Sequence, residues 1–299
     1  MPTILGLQNC TLSDIIANDN TYLDRIKLRR SLVEAELNAV IRCNSRIVPA
    51  VNELYTWFFG VYLPRRFPTM FELDSDDRAS GPTLRNKVTN ENIPLAPSPD
   101  PLVALKTLAS HIDTDIFLLL PSTCAEDDGK YILEAYINCF PSGFDPREKL
   151  NRKLADIHIP VPRYGDKLEK SMDRFFAGLP TGKIVKRHNW TINTSPELFK
   201  LAGTHLHEGD DEKPKDIDVE RTFLRCERQT LHRLPNTGAL VFAFKTYQYP
   251  LAQIKAEGNG DALAEAIEGI QKGSTPELYK YKSGVVWGES VKSYLRSAT

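Results

Sequence analysis

The run Asp115-Ile116-Phe117-Leu118-Leu119-Leu120 is followed, after a polar interval, by Tyr131-Ile132-Leu133-Glu134-Ala135-Tyr136-Ile137. Both runs are short and apolar, and the interval closes on Asp127-Asp128-Gly129-Lys130, residues that favour a chain reversal. The pair predicts a β-hairpin with a long loop. Working outward, residues 183–192 and 222–231 read as two more strands. Residues 238–247 read as a third, entered through the turn Leu234-Pro235-Asn236-Thr237-Gly238. Helical patterns at 148–155 and 166–178 fall between the hairpin and these three strands. Two strands, then helices, then three strands predicts an α+β fold: an antiparallel sheet with helices packed on one side and a small-molecule pocket beneath them.

The flanks are helical. Leu32, Val33, Leu37, Val40 and Ile41 recur at helical spacing. Val51-Asn52-Glu53-Leu54-Tyr55-Thr56-Trp57-Phe58 continues a helical face that Pro64 and Pro68 end. Residues 75–101 are rich in Asp, Asn, Ser and Pro and predict irregular surface structure. Residues 203–220, crowded with Asp, Glu, Lys and His, read as a mobile insertion, and 261–271 and 285–296 as helices. The expected division is a helical lead-in with a proline-rich connector over 1–100, a core over 101–260 and a helical tail over 261–299, in one compact unit.

With 38 basic and 39 acidic residues among 299, the net charge is −1, so no overall field draws in nucleic acid or anionic lipid. Lys27, Arg29 and Arg30 read as a solvated helix face. The start, Met1-Pro2-Thr3-Ile4-Leu5-Gly6, lacks the basic flank and apolar run of a signal peptide. The longest apolar runs, 116–120 and 238–244, are too short to span a bilayer. Cys10, Cys43, Cys124, Cys139 and Cys226 are odd in number and scattered, without a Cys-x-x-Cys pair, which predicts reduced thiols in a cytoplasmic protein and no zinc ribbon or iron–sulfur cluster. The glycosylation patterns at Asn9, Asn189 and Asn193 then read as chance matches.

Glycine-rich phosphate loops, the Gly-x-Ser-x-Gly elbow and His-Glu-x-x-His are all absent from the sequence. Three segments carry chemistry instead. In Ile157-His158-Ile159-Pro160-Val161-Pro162, two prolines pin the backbone after a histidine flanked by isoleucines. Burial keeps such an imidazole neutral and fit to ligate iron; a satisfied core histidine is the other reading. Arg187-His188-Asn189-Trp190-Thr191-Ile192 packs polar and aromatic residues into a strand. In Arg225-Cys226-Glu227-Arg228-Gln229-Thr230-Leu231-His232-Arg233-Leu234, the residues Arg225, Glu227, Gln229, Leu231 and Arg233 share one strand face. That row either faces a polar ligand or points to solvent, with Cys226, Thr230 and Leu234 turned to the core.

Together with Leu63-Pro64-Arg65-Arg66-Phe67-Pro68-Thr69-Met70-Phe71 and Cys139-Phe140-Pro141-Ser142-Gly143-Phe144 plus Lys149, these segments resemble, in order, the haem-dependent oxidative N-demethylase family, whose bacterial members are the α subunit of dimethylamine monooxygenase. The match covers roughly residues 50 to 290. The resemblance implies a PAS-like fold that binds haem b and oxidises a small secondary amine with O₂, releasing formaldehyde. It implies electrons from a separate flavin and iron–sulfur reductase, and leaves open whether this chain handles tetrahydrofolate, which the family uses to trap formaldehyde. By position, the resemblance makes His158 the axial ligand, with His188 and His232 as competitors for the iron. Arg225, Glu227 and Gln229 become the polar group beside the open iron face, and Asn189, Trp190 and Arg233 cofactor contacts.

The chain departs from the family pattern at Phe144, where tryptophan is usual, at His188 inside the Arg-x-Asn-Trp motif, and in the 203–220 insertion. These differences bear on the substrate rather than on the haem. Two other functions stand beside the monooxygenase: a haem-based gas or redox sensor, because fold does not dictate chemistry, and a haem-free interaction protein of the same fold.

Overall fold

A computed structural model describes residues 6–74, 81–207, 209–210 and 213–297; the N-terminal expectation for residues 1–5, and those for 75–80, 208, 211 and 212, lie outside the described residues. In chain order the strands are β1 (Gln8–Cys10), β2 (Ile41–Cys43), β3 (Phe71–Asp74), β4 (Thr83–Asn86) and β5 (Glu91–Pro94). They continue with β6 (Asp115–Pro121), β7 (Tyr131–Ile137), β8 (Ile184–Asn193), β9 (Phe223–Arg233) and β10 (Leu240–Pro250). Seven of them form one antiparallel sheet in the order β1-β8-β9-β10-β6-β7-β2, and β3, β4 and β5 form a second, three-stranded one. The α+β class read from the sequence is the class observed, and the five long strands fall within three residues of their expected ends.

The β6–β7 hairpin turns through Asp128 and Gly129, both at positive φ, a conformation for which Asp and Gly are suited. The β9–β10 turn closes with Gly238 N–H donating to the Leu234 carbonyl at 3.1 Å and Leu234 N–H to the Ala239 carbonyl at 2.9 Å.

Helices cover both faces of the large sheet, not one. Ile116, Leu118, Ile137, Val241 and Ala243 face a core built with Ile26, Val51, Leu54, Phe58 and Leu105, from helices Tyr22–Ala35, Val48–Trp57, the turn Phe58–Tyr62 and Pro101–His111. The apolar stripe of the N-terminal helices needs a partner, and this sheet face supplies it. On the opposite face Phe117, Leu119, Val185, Leu231, Leu240 and Phe244 pack with Leu154, Phe176 and Leu179 from the intervening segment. A third cluster joins Ile192 and Leu251 to the helices Gly260–Gln271 and Gly284–Arg296.

Other expectations change. Part of 75–101 is strand, because β3, β4 and β5 pair with one another, and the helix expected over 148–155 is a 3₁₀ turn at Pro146–Glu148 and a short α-helix at Leu154–Ile157. Arg29 is not on a solvated face: it is fully buried, with Nη1 2.7 Å from Asp115 Oδ1, Nε on the Ala109 carbonyl and Nη2 on the Thr114 carbonyl. Asp115 also accepts from the N–H groups of Cys139 and Phe140, both at 2.9 Å, which fixes the start of the Cys139-Phe140-Pro141-Ser142-Gly143-Phe144 motif. The described part of 203–220 is docked: Leu206 N–H donates to the Tyr281 carbonyl, Lys215 N–H to the Val286 carbonyl and Ser283 Oγ to the Thr204 carbonyl.

Candidate functional site

Strand alternation and register assemble the site. Antiparallel pairing sets Arg187 opposite Gln229 and Asn189 opposite Glu227 across β8 and β9, so these four side chains share one sheet face with Arg225. The row faces inward: Arg225 is 1% and Gln229 6% exposed. Arg187 Nε donates to Gln229 Oε1 at 2.6 Å, and Gln229 Nε2 donates to Glu227 Oε2 at 2.9 Å. Asn189 Nδ2 reaches the same Glu227 oxygen at 3.5 Å, and Arg225 Nε lies 4.0 Å from Glu227 Oε1. Buried polar groups are tolerated only when paired, and here each side chain orients the next. Arg225 also pins the surrounding loops, donating to the Phe140 carbonyl at 2.5 Å and the Leu198 carbonyl at 3.1 Å, while its Nε makes no hydrogen bond among the described residues.

His158 ends the short helix Leu154–Ile157. Its Nδ1 lies 2.7 Å from the Leu154 carbonyl oxygen; a carbonyl only accepts, so Nδ1 carries the proton and Nε2 keeps its lone pair. The ring stacks face to face on Tyr164. Burial pushes its pKa down to about 4, and the nearby charges of Lys149 and Arg187 push the same way against the opposing Leu154 bond, so the ring is neutral at pH 7. Lys149 Nζ lies 4.7 Å from the centre of the Phe144 ring and has no carboxylate within ion-pair distance among the described residues. Burial also lowers its pKa.

His205 and Lys282, not singled out from the sequence, and Gly143 of the Cys139–Phe144 motif add to the site. His205 stacks on Tyr281 at 4.5 Å, and burial pushes its pKa down to about 4. Lys282 Nζ donates to the Trp190 carbonyl at 2.6 Å and to Asn189 Oδ1 at 3.2 Å. Burial lowers the Lys282 pKa to about 8 against the attraction of Glu227. Gly143, at φ +75°, is held so close to Thr204 that a Cβ would meet the Thr204 Cβ at 2.3 Å. Burial is the largest cause lowering the pKa values of His158, Arg187 and His205, and each of the three side chains is half-buried.

Other expected site residues stand elsewhere. Trp190 lies on the face of β8 opposite Asn189 and packs against the C-terminal cluster, because neighbouring strand residues point to opposite sides. Arg233 shares the site's face but donates to the carbonyls of Leu179, Phe176, Ala177 and Gly238 and to the Tyr131 hydroxyl. All five N–H groups are engaged, which makes it a clamp on the end of helix Glu169–Gly178. Of the competing histidines, His188 is exposed and His232 is buried on the reverse face beside Trp57.

Cys10, Cys43, Cys124, Cys139 and Cys226 are free thiols. Among the described residues no group of three or more His, Cys, Asp and Glu side chains could hold a metal ion, and no helix is long and apolar enough to cross a membrane. A protein-family model described as haem-dependent oxidative N-demethylase, alpha subunit-like, matches residues 6–292.

Proposed function

Since the chain belongs to the haem-dependent oxidative N-demethylase, alpha subunit-like family, we propose that it is a haem-dependent monooxygenase component that demethylates a small secondary amine. The observation that carries this reading is the His158 imidazole, with Nδ1 committed to the Leu154 carbonyl and Nε2 free. Carbonyl-anchored, neutral histidines are good iron ligands because the anchor fixes the tautomer and raises ligand basicity. The remaining residues suit haem b as well. Phe117, Phe242 and Phe244 offer an apolar wall on the site's sheet face, and Lys149 offers a positive charge to a propionate. The five central strands, in the order β7-β6-β10-β9-β8 with helices inserted between β7 and β8, support the PAS-like reading.

Bound haem would supply the electron and O₂ chemistry of the oxidation. The chain's own contribution is orientation and proton handling. Glu227 is the carboxylate of the polar row; it suits pairing with a cationic secondary amine or taking its proton at Oε. Gln229 and Asn189 hold that carboxylate in place, and Arg187, steered by Gln229, adds positive potential where negative charge develops. Lys282 behind Asn189 fixes the amide's orientation.

An alpha subunit-like chain works with other components, and electrons from a separate flavin and iron–sulfur reductase belong to this proposal, as do dimethylamine as the first substrate to try and tetrahydrofolate as formaldehyde acceptor. The test is formaldehyde release from dimethylamine in air by haem-reconstituted protein with a surrogate reductase. Turnover above a haem-only control supports the reading. Tight CO binding without turnover replaces it with sensing, and failure to take up haem leaves an interaction protein.

A further inference from the structure

The reverse face of the large sheet, opposite the polar row, holds a cavity of about 610 Å³ that is independent of the haem reading. Trp57, Val61, Ile184 and Leu234 give it apolar walls, and His232 and Asn52 enter it. Alternation along β9 turns His232 to this side, since Leu231 packs on the other. The His232 side chain is almost fully enclosed, and neither ring nitrogen has a hydrogen-bond partner among the described residues. Asn52 Oδ1 is likewise buried and unpaired. Folded proteins leave few such atoms unsatisfied, and a cavity of this size is typical of small-molecule sites.

The kind of ligand follows from what the rim withholds. Glu53 is spent on the backbone N–H groups of Asn236 and Thr237, both at 2.8 Å, and on the Thr237 hydroxyl. Arg233 is spent on its helix-end carbonyls. The buried lining groups without a hydrogen-bond partner among the described residues are the His232 ring and Asn52 Oδ1, both uncharged, which suits a neutral ligand. The imidazole, held neutral by burial, offers one donor and one acceptor. The Trp57 ring lies 5.7 Å from it, centre to centre, and offers an aromatic surface. We infer that this cavity is a second binding site, for a neutral, mainly apolar aromatic molecule whose hydroxyl or amide-type group pairs with His232 while its ring lies against Trp57.

The test titrates the full chain with 4-fluorophenol and with fluorobenzene, following ¹⁹F line broadening and tryptophan fluorescence. The expected result is saturable 4-fluorophenol binding, with fluorobenzene about tenfold weaker because it leaves the imidazole unpaired. His232→Phe brings the two probes to similar affinity. Val61→Trp, at a partly exposed rim position, abolishes both without lowering the unfolding temperature, and His158→Ala changes neither. If His232→Phe fails to fold, the two probes on the unaltered protein and on Val61→Trp decide. Absence of saturable binding, equal affinity for the two probes, or binding that survives Val61→Trp overturns the site.

Discussion

The rings of His158 and Tyr164 lie face to face, 4.6 Å apart between centroids with planes 10° from parallel. With Nδ1 tied to Leu154, this stack leaves the imidazole one orientation. Residues that orient a metal ligand typically contribute about 10–100-fold in affinity. Tyr164→Ala is therefore expected to weaken haem retention by about tenfold while far-ultraviolet circular dichroism stays unchanged. Unaltered retention in competition with apomyoglobin removes the stack from the account.

Glu227→Gln keeps the size of the side chain but removes the carboxylate that Gln229 and Asn189 hold. Formaldehyde production is expected to fall by about 10²-fold or more, the usual loss on removing a general base, with haem content unchanged. Activity within about twofold of the unaltered protein excludes Glu227 from proton transfer.

Arg233→Ala separates a clamp from a cofactor contact. It leaves the carbonyls of Leu179, Phe176 and Gly238 and the Tyr131 hydroxyl without their donor. Stability by urea unfolding is expected to drop by about 2–4 kcal/mol, and haem affinity of the folded fraction to stay the same. The reverse pattern restores Arg233 to the cofactor.

Acid is expected to unfold the protein through its histidines. His111, His158, His205 and His232 all have pKa values pushed down to about 4 by burial. Between pH 4 and roughly 6.5, the ordinary histidine value, the unfolded chain binds more protons than the folded one, so stability is full above 6.5 and falls as pH drops through this window. Each such histidine steepens the dependence by up to about 1.4 kcal/mol per pH unit. Urea midpoints at pH 7.5, 6 and 5 check it. A flat profile contradicts the burial of these rings.

The large sheet was legible because β6, β7 and the first half of β10 are short apolar runs bounded by turn residues. The short β1 and β2 carry no periodic signal in three residues, and helix Pro101–His111 was hidden behind a proline-rich approach. Alternation could have been pressed further in the site itself: Asn189 and Trp190 are neighbours on one strand and cannot share a face, nor can His232 and Arg233. His205 was not legible. It sits in a stretch whose composition signals a solvated loop, and only its docking on Tyr281 brings it to the cleft. Arg29 misled for a related reason, since an arginine among charges reads as solvated until its buried partner Asp115, 86 residues away, is known.

The most direct test of the central claim is the Soret absorption of the protein after haem reconstitution, compared across single histidine variants. One equivalent of haem with a histidine-ligated spectrum is expected for the unaltered protein, for His205→Ala and for His232→Ala, and loss of that spectrum for His158→Ala alone. A His158→Ala protein that keeps the same Soret band, or an unaltered protein that takes up no haem, contradicts the account.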